Sequence, residues 1–68
     1  MNLNFGSQDF STVREVQIKL REKGFFKLKI CSGLYLNETF EAVKEFQKKN
    51  KLPLTGIVDE RTYKMIMA

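Results

Sequence analysis

Residues 39–56, TFEAVKEFQKKNKLPLTG, limit what this chain can become more than any other stretch. Thr39, Ala42, Val43 and Phe46 recur at i, i+3, i+4 and i+7, the spacing that draws one apolar stripe along a helix. The basic run Lys48-Lys49-Asn50-Lys51 ends that stripe, and Leu52-Pro53-Leu54-Thr55-Gly56 reads as a rigid exit loop. A one-faced helix feeding a fixed corner is expected to act as a scaffold on which the other segments dock. Nothing in the stretch has the residue types of a catalytic centre.

The rest of the chain gives little alternative to helix packing. In 68 residues there is a single cysteine and no histidine, so no internal disulfide forms and a zinc site is nearly excluded. A domain of this size buries only about 60% of its unfolded surface. Without staples its core rarely contributes more than about 3–5 kcal/mol. Stability must come from regular packing of the 43% of residues that are apolar, six phenylalanines and two tyrosines among them.

Three helices are expected. At Thr12-Val13-Arg14-Glu15 the pattern is a capping box, with Ser11 a competing N-cap. Helix 1 then runs to about Lys23 with Val13, Val16, Gln17 and Leu20 inward, and Gly24 supplies the left-handed residue that stops it. Ile18 lies off that stripe. Asn37 is the expected cap of helix 2, with Glu38 and Glu41 at its positive end and Lys44, Lys48 and Lys49 toward the other. Asn50 ends it. Asp59 caps a short third helix from Glu60 to about Met67. Helices of roughly 12, 13 and 8 residues make a compact all-α bundle. Residues 1–10 carry no period and are read as an N-terminal arm, pinned by Phe5 and Phe10, ahead of a domain spanning 11–68.

Between helices 1 and 2, Phe25, Leu28, Ile30, Leu34 and Tyr35 fit neither a helical nor a strand period, and Ser32-Gly33 interrupts them with a turn signal. A long irregular loop in so small a domain tends to be functional. There is also an internal echo. Val13-x-x-Val16-Gln17 and Val43-x-x-Phe46-Gln47 share V-x-x-[VF]-Q, each with a glutamine beside the apolar stripe. A buried amide must be satisfied, and loop backbone is its usual partner, so Gln17 and Gln47 are expected to tie loops to helices.

In this order and spacing the segments resemble the peptidoglycan-binding-like domain family. The resemblance is carried by Val13-x-x-Val16-Gln17-x-x-Leu20-x-x-x-Gly24-Phe25-Phe26, then Gly33-x-Tyr35, then Thr39-x-x-Ala42-Val43-x-x-Phe46-Gln47. It continues through Leu52-Pro53-x-Thr55-Gly56-x-Val58-Asp59-x-x-Thr62-Tyr63 and covers about residues 12–67. It implies a three-helix, peptidoglycan-binding-domain-like bundle that binds the bacterial cell wall, usually attached to enzymes that cut or build it. The departures gather in the loop: Ser32 stands where the family has Asp, Leu36 where it has Gly, and Lys51 replaces the Gly that follows helix 2. These changes bear on ligand specificity more than on fold.

The expectation is therefore a non-catalytic module, bacterial or phage, that needs no cofactor and targets a cell-wall hydrolase to its substrate. Its ligand is peptidoglycan or another anionic wall polymer, its location extracellular or at the wall, and its parent protein a candidate to supply the catalytic domain. The expected groove lies beside the 25–37 loop and the start of helix 2. Phe26 and Tyr35 are the candidate aromatic platforms for sugar faces. Ser32 and Asn37 are the candidate hydrogen-bonding groups, and Lys27 and Lys29 the candidates for stem carboxylates or teichoic phosphates.

Other classes are weighed against this. Catalysis lacks its usual base near neutral pH, histidine. Cys31 aligns with an apolar core position and reads as a buried thiol. The zinc-blocking cysteine motif in the propeptides of the related matrix metalloproteinases is absent, so Cys31 does not take that role. Net charge +4 and a pI near 9.4 admit nucleic acid. A helix-turn-helix, however, has a tighter turn than the Pro53 link between helices 2 and 3. The third class is a protein-interaction module on the same fold, with Ile18, Phe26, Leu28 and Phe40 as surface. No apolar run nears the roughly 20 residues of a membrane span, and MNLNFGSQDF has neither the basic start nor the apolar core of a signal peptide.

Overall fold

The computed structural model describes residues 2–68. Three helices appear among them: α1 (Phe10–Glu22), α2 (Asn37–Lys49) and α3 (Glu60–Met67). They form the expected all-α bundle, with a long irregular loop between α1 and α2. Instead of a strand, the described residues contain one isolated antiparallel bridge, Leu3 with Val58.

Each helix buries the face its spacing marks. Val13, Val16, Gln17 and Leu20 are buried on α1, and Thr39, Ala42, Val43, Phe46 and Gln47 on α2. Thr62 and Ile66 are the buried residues of α3. Packing gives the central place to α1, which contacts both α2 and α3. The 39–56 stretch is thus one wall and the corner of the bundle, while the hub is the helix before it. The reason is geometric: α3 lies on α1, and its link to α2 is spent turning the Pro53 corner.

The helix starts differ from expectation at two points. Helix α1 begins at Phe10, because the Asp9 carboxylate accepts the Thr12 N–H at 3.3 Å. A carboxylate at the positive helix end is a stronger cap than the Ser11 or Thr12 hydroxyl. Asn37 is already helical, and the N-cap position of α2 falls to Leu36, which has no side-chain acceptor to offer. Asp59 caps α3 as expected, accepting the Thr62 N–H at 2.8 Å.

Helices α1 and α2 end alike. After α1, Phe25 N–H donates to the Leu20 carbonyl and Gly24 N–H to Arg21. After α2, Leu52 N–H donates to Gln47 and Lys51 N–H to Lys48. Both are Schellman motifs, which need a left-handed residue just past the cap. In α1 that residue is Gly24, at φ +88°; in α2 it is Lys51, at φ +59°.

Irregular segments complete the core. Phe26, Cys31 and Tyr35 turn inward from the loop, and Leu3 and Val58 from the bridge, to join the helix stripes. Residues 2–9 are therefore pinned through Leu3, whereas the Phe10 ring is half exposed. Phe5 lies over the Phe40 ring at 4.9 Å and edge-on to Tyr35 at 6.3 Å. The exit corner closes against Phe40, whose ring a Cβ on Gly56 would overlap. That contact and the φ of +71° both favour glycine there.

Candidate ligand groove

Two glutamines hold the loops that shape the surface. The Gln17 amide Nε2 donates to the Leu34 carbonyl at 2.9 Å and to the Thr39 hydroxyl at 2.8 Å, and its Oε1 accepts the Gly33 N–H at 2.9 Å. Gln47 does the same one segment later. Its Nε2 donates to the Ile57 carbonyl at 3.0 Å and toward the Thr55 and Thr62 hydroxyls, and its Oε1 accepts the Gly56 N–H at 2.9 Å. These are the loop ties that the sequence echo implies, and both glutamines are buried.

Beside the first of these loops lies a groove of about 350 Å³. Its loop side is Phe25, Lys27 and Leu28; its helix side is Asn37, Glu38, Glu41 and Glu45 of α2. The loop side is set by the α1 Schellman turn and by Phe25, whose ring packs edge-on against Phe46 at 5.4 Å and 82°. Farther along, the Arg21 guanidinium donates to the Lys29 carbonyl and fastens the loop to α1. The helix side follows from spacing: Glu38, Glu41 and Glu45 are three and four residues apart, hence on one face. All three are exposed, and none forms an ion pair among the described residues.

Of the six residues singled out from the sequence, the structure brings Lys27 and Asn37 into this groove. Lys29 and Ser32 are exposed on the loop but do not line it. The Ser32 hydroxyl accepts the Leu34 N–H at 3.2 Å, a local turn contact. Phe26 and Tyr35 are corrections. They are 3% and 1% exposed, so neither presents a ring face to a sugar. Tyr35 is a core residue with a structural hydrogen bond: its hydroxyl donates to the Gly56 carbonyl at 2.6 Å. Burial raises its pKa far above the ordinary phenol value, which keeps that donor protonated.

The expectation did not place the glutamates of the helix side in the groove lining, because helix starts and helix faces already account for acidic side chains. The signal was the i, i+3, i+7 row itself, facing an apolar turn.

A second depression, of about 540 Å³, lies at the α3 end among Leu52, Pro53, Thr55, Asp59 and Thr62. Its polar groups serve the fold. Thr55 and Thr62 face Gln47, and Asp59 caps α3. Hydrogen bonds from the Thr62 N–H and hydroxyl hold the Asp59 carboxyl below its usual range, with Arg61 adding a smaller electrostatic pull. Among the described residues no three His, Cys, Asp or Glu side chains converge as a metal site, and no helix is long and apolar enough to cross a membrane.

Comparison with known proteins agrees with this architecture. The family described as "Putative peptidoglycan binding domain" matches residues 11–66, and the chain belongs to that family. It is thus a non-catalytic cell-wall-binding module. The crystal structure of the SleB N-terminal domain is similar to it with a TM-score of 0.86 and 29% identity. That likeness covers 98% of this chain and 89% of the other. No curated protein matches.

Proposed function

We propose that this peptidoglycan-binding domain engages the wall through the groove between residues 25–28 and the outer face of α2. In doing so it holds a cell-wall hydrolase, attached or partnered, on its substrate at the bacterial envelope. The observation that carries this reading is the groove's make-up. Apolar Phe25 and Leu28 face three unpaired carboxylates, with Lys27 and Asn37 in the same lining. A concavity in which apolar side chains meet convergent polar groups is a common form of ligand site.

The test is a pull-down on purified wall, run beside an NMR titration with soluble muropeptides. Binding to the wall, with shifts confined to residues 25–28 and 37–45, is the expected result. No retention on wall, or shifts gathered elsewhere, overturns the assignment.

A second reading rests on one specific observation. Ile30 is 76% exposed, and Leu34 and Leu36 are half exposed on the same loop, an apolar display that suits a protein surface. Tight binding to a protein without retention on wall would favour it. Of the side chains the sequence offers for such a surface, Phe26 is buried and Ile18 and Phe40 pack against the core, which leaves Leu28 exposed.

A further inference from the structure

We infer that the groove takes the amine-bearing peptide stem of peptidoglycan, not its sugar strand; this rests on the wall-binding reading above. The first argument is charge. The chain carries a net charge of +4, yet its groove sets three of the eight acidic residues against a single lysine. Glu38, Glu41 and Glu45 form a row about 10 Å long at 1.5 Å of rise per residue. That is the length of about three extended peptide residues. Adjacent unpaired carboxylates repel one another, and an ammonium laid among them removes that repulsion while making charge-assisted hydrogen bonds.

The second argument is what the groove lacks for sugars. Tyr35 and Phe26 are in the core, so Phe25, packed at a near-right angle against Phe46, is the one aromatic ring in the lining and has no second ring beside it to sandwich a sugar. Phe25 and Leu28 instead offer a small apolar surface on the loop side, suited to methyl side chains such as those of alanine. Lys27, on the loop side, is placed for a carboxylate. An amine toward α2, with carboxylate and methyl groups toward the loop, is the chemistry of a stem peptide built on a diamino acid.

The experiment titrates the chain, followed by amide NMR, with three probes: a stem tetrapeptide with a free side-chain amine, the same peptide acetylated on that amine, and the peptide-free disaccharide. The free-amine peptide should shift residues 25–28 and 37–45, with acetylation weakening it at least about tenfold. Glu41→Gln, and the triple variant Glu38→Gln/Glu41→Gln/Glu45→Gln, should weaken it similarly while leaving helical circular dichroism unchanged, since all three side chains are exposed. Equal binding of the acetylated peptide, or the same shifts from the disaccharide, overturns the stem assignment. If the wild-type chain still binds wall in that case, the wall-binding reading survives. If the wild-type chain binds no wall, both fall together.

Discussion

Gln17 and Gln47 stand in the same relation to the chain that follows them. Each accepts the N–H of a left-handed glycine, Gly33 or Gly56, and donates to the hydroxyl of the buried threonine six residues past that glycine, Thr39 or Thr62. The bundle is thus built from two copies of one device, a helix whose glutamine amide locks the next loop and the next helix start. Tyr35 links the copies, since it follows Gly33 and donates to the Gly56 carbonyl.

The glutamine locks should be costly to remove. Gln47→Leu keeps the volume but leaves the buried Gly56 N–H without its acceptor, and Gln17→Leu does the same to Gly33. An orphaned buried group costs about 1–3 kcal/mol, a large share of what so small a core supplies. Urea denaturation of both variants should show similar losses. Losses below about 0.5 kcal/mol would place the loops' stability elsewhere.

The duplicated device also exposes a fault. Asp59 caps α3, while Leu36, its counterpart ahead of α2, has extended backbone but no acceptor. Leu36→Ser should place a hydroxyl where the Thr39 N–H can reach it, without adding charge beside the groove. The expected gain is about 0.5–1 kcal/mol, against a loss of about 0.5–2 kcal/mol for Asp59→Ala. Thermal unfolding of the two variants should move in opposite directions.

Lys51 holds a left-handed conformation at φ +59°, where α1 uses Gly24. Lys51→Gly relieves a steric cost of about 1–2 kcal/mol and returns about 0.5–1 kcal/mol as extra unfolded-state freedom. A net gain of about 0.5–1 kcal/mol is expected. At this chain length it would appear as a rise in Tm of about 2–8 °C.

Asp59 gives the fold a defined acid sensitivity. Its carboxyl lies below the usual range because Thr62 donates to the charged form. The stabilisation is complete above the ordinary carboxylate pKa of about 3.9 and is lost as pH falls through the lowered folded-state value. Asp59→Asn retains an acceptor that does not titrate. The stability advantage of the wild type over this variant should therefore shrink between pH 5 and pH 2.5, as read by denaturant midpoints.

Legibility followed periodicity. Val13, Val16, Leu20, Ala42, Val43 and Phe46 were readable as core because a helix repeats its buried face every 3.6 residues. Gln17 and Gln47 were readable as ties because a polar residue within such a stripe needs a partner. Phe26 and Tyr35 were misread as platforms because the 25–36 loop has no period to assign its sides, and an aromatic there suits core and surface equally. The α2 cap slipped by one residue, from Asn37 to Leu36, since a capping residue identifies a helix start only to within the neighbours that compete for it.

By itself, the sequence 39–56 determined that a one-faced helix would run into a stiff Leu-Pro-x-Thr-Gly corner, and its relatives elsewhere in the chain determined a three-helix bundle of the peptidoglycan-binding family. These are local properties, encoded in spacing, capping and turn chemistry. Tertiary structure alone decided that α1 is the hub and that Phe26 and Tyr35 face inward. It also decided that Glu38, Glu41 and Glu45 look across a groove at Phe25, Lys27 and Leu28. Those outcomes depend on which surfaces meet when distant segments pack, and the route of an irregular loop is set by the cavity it must fill.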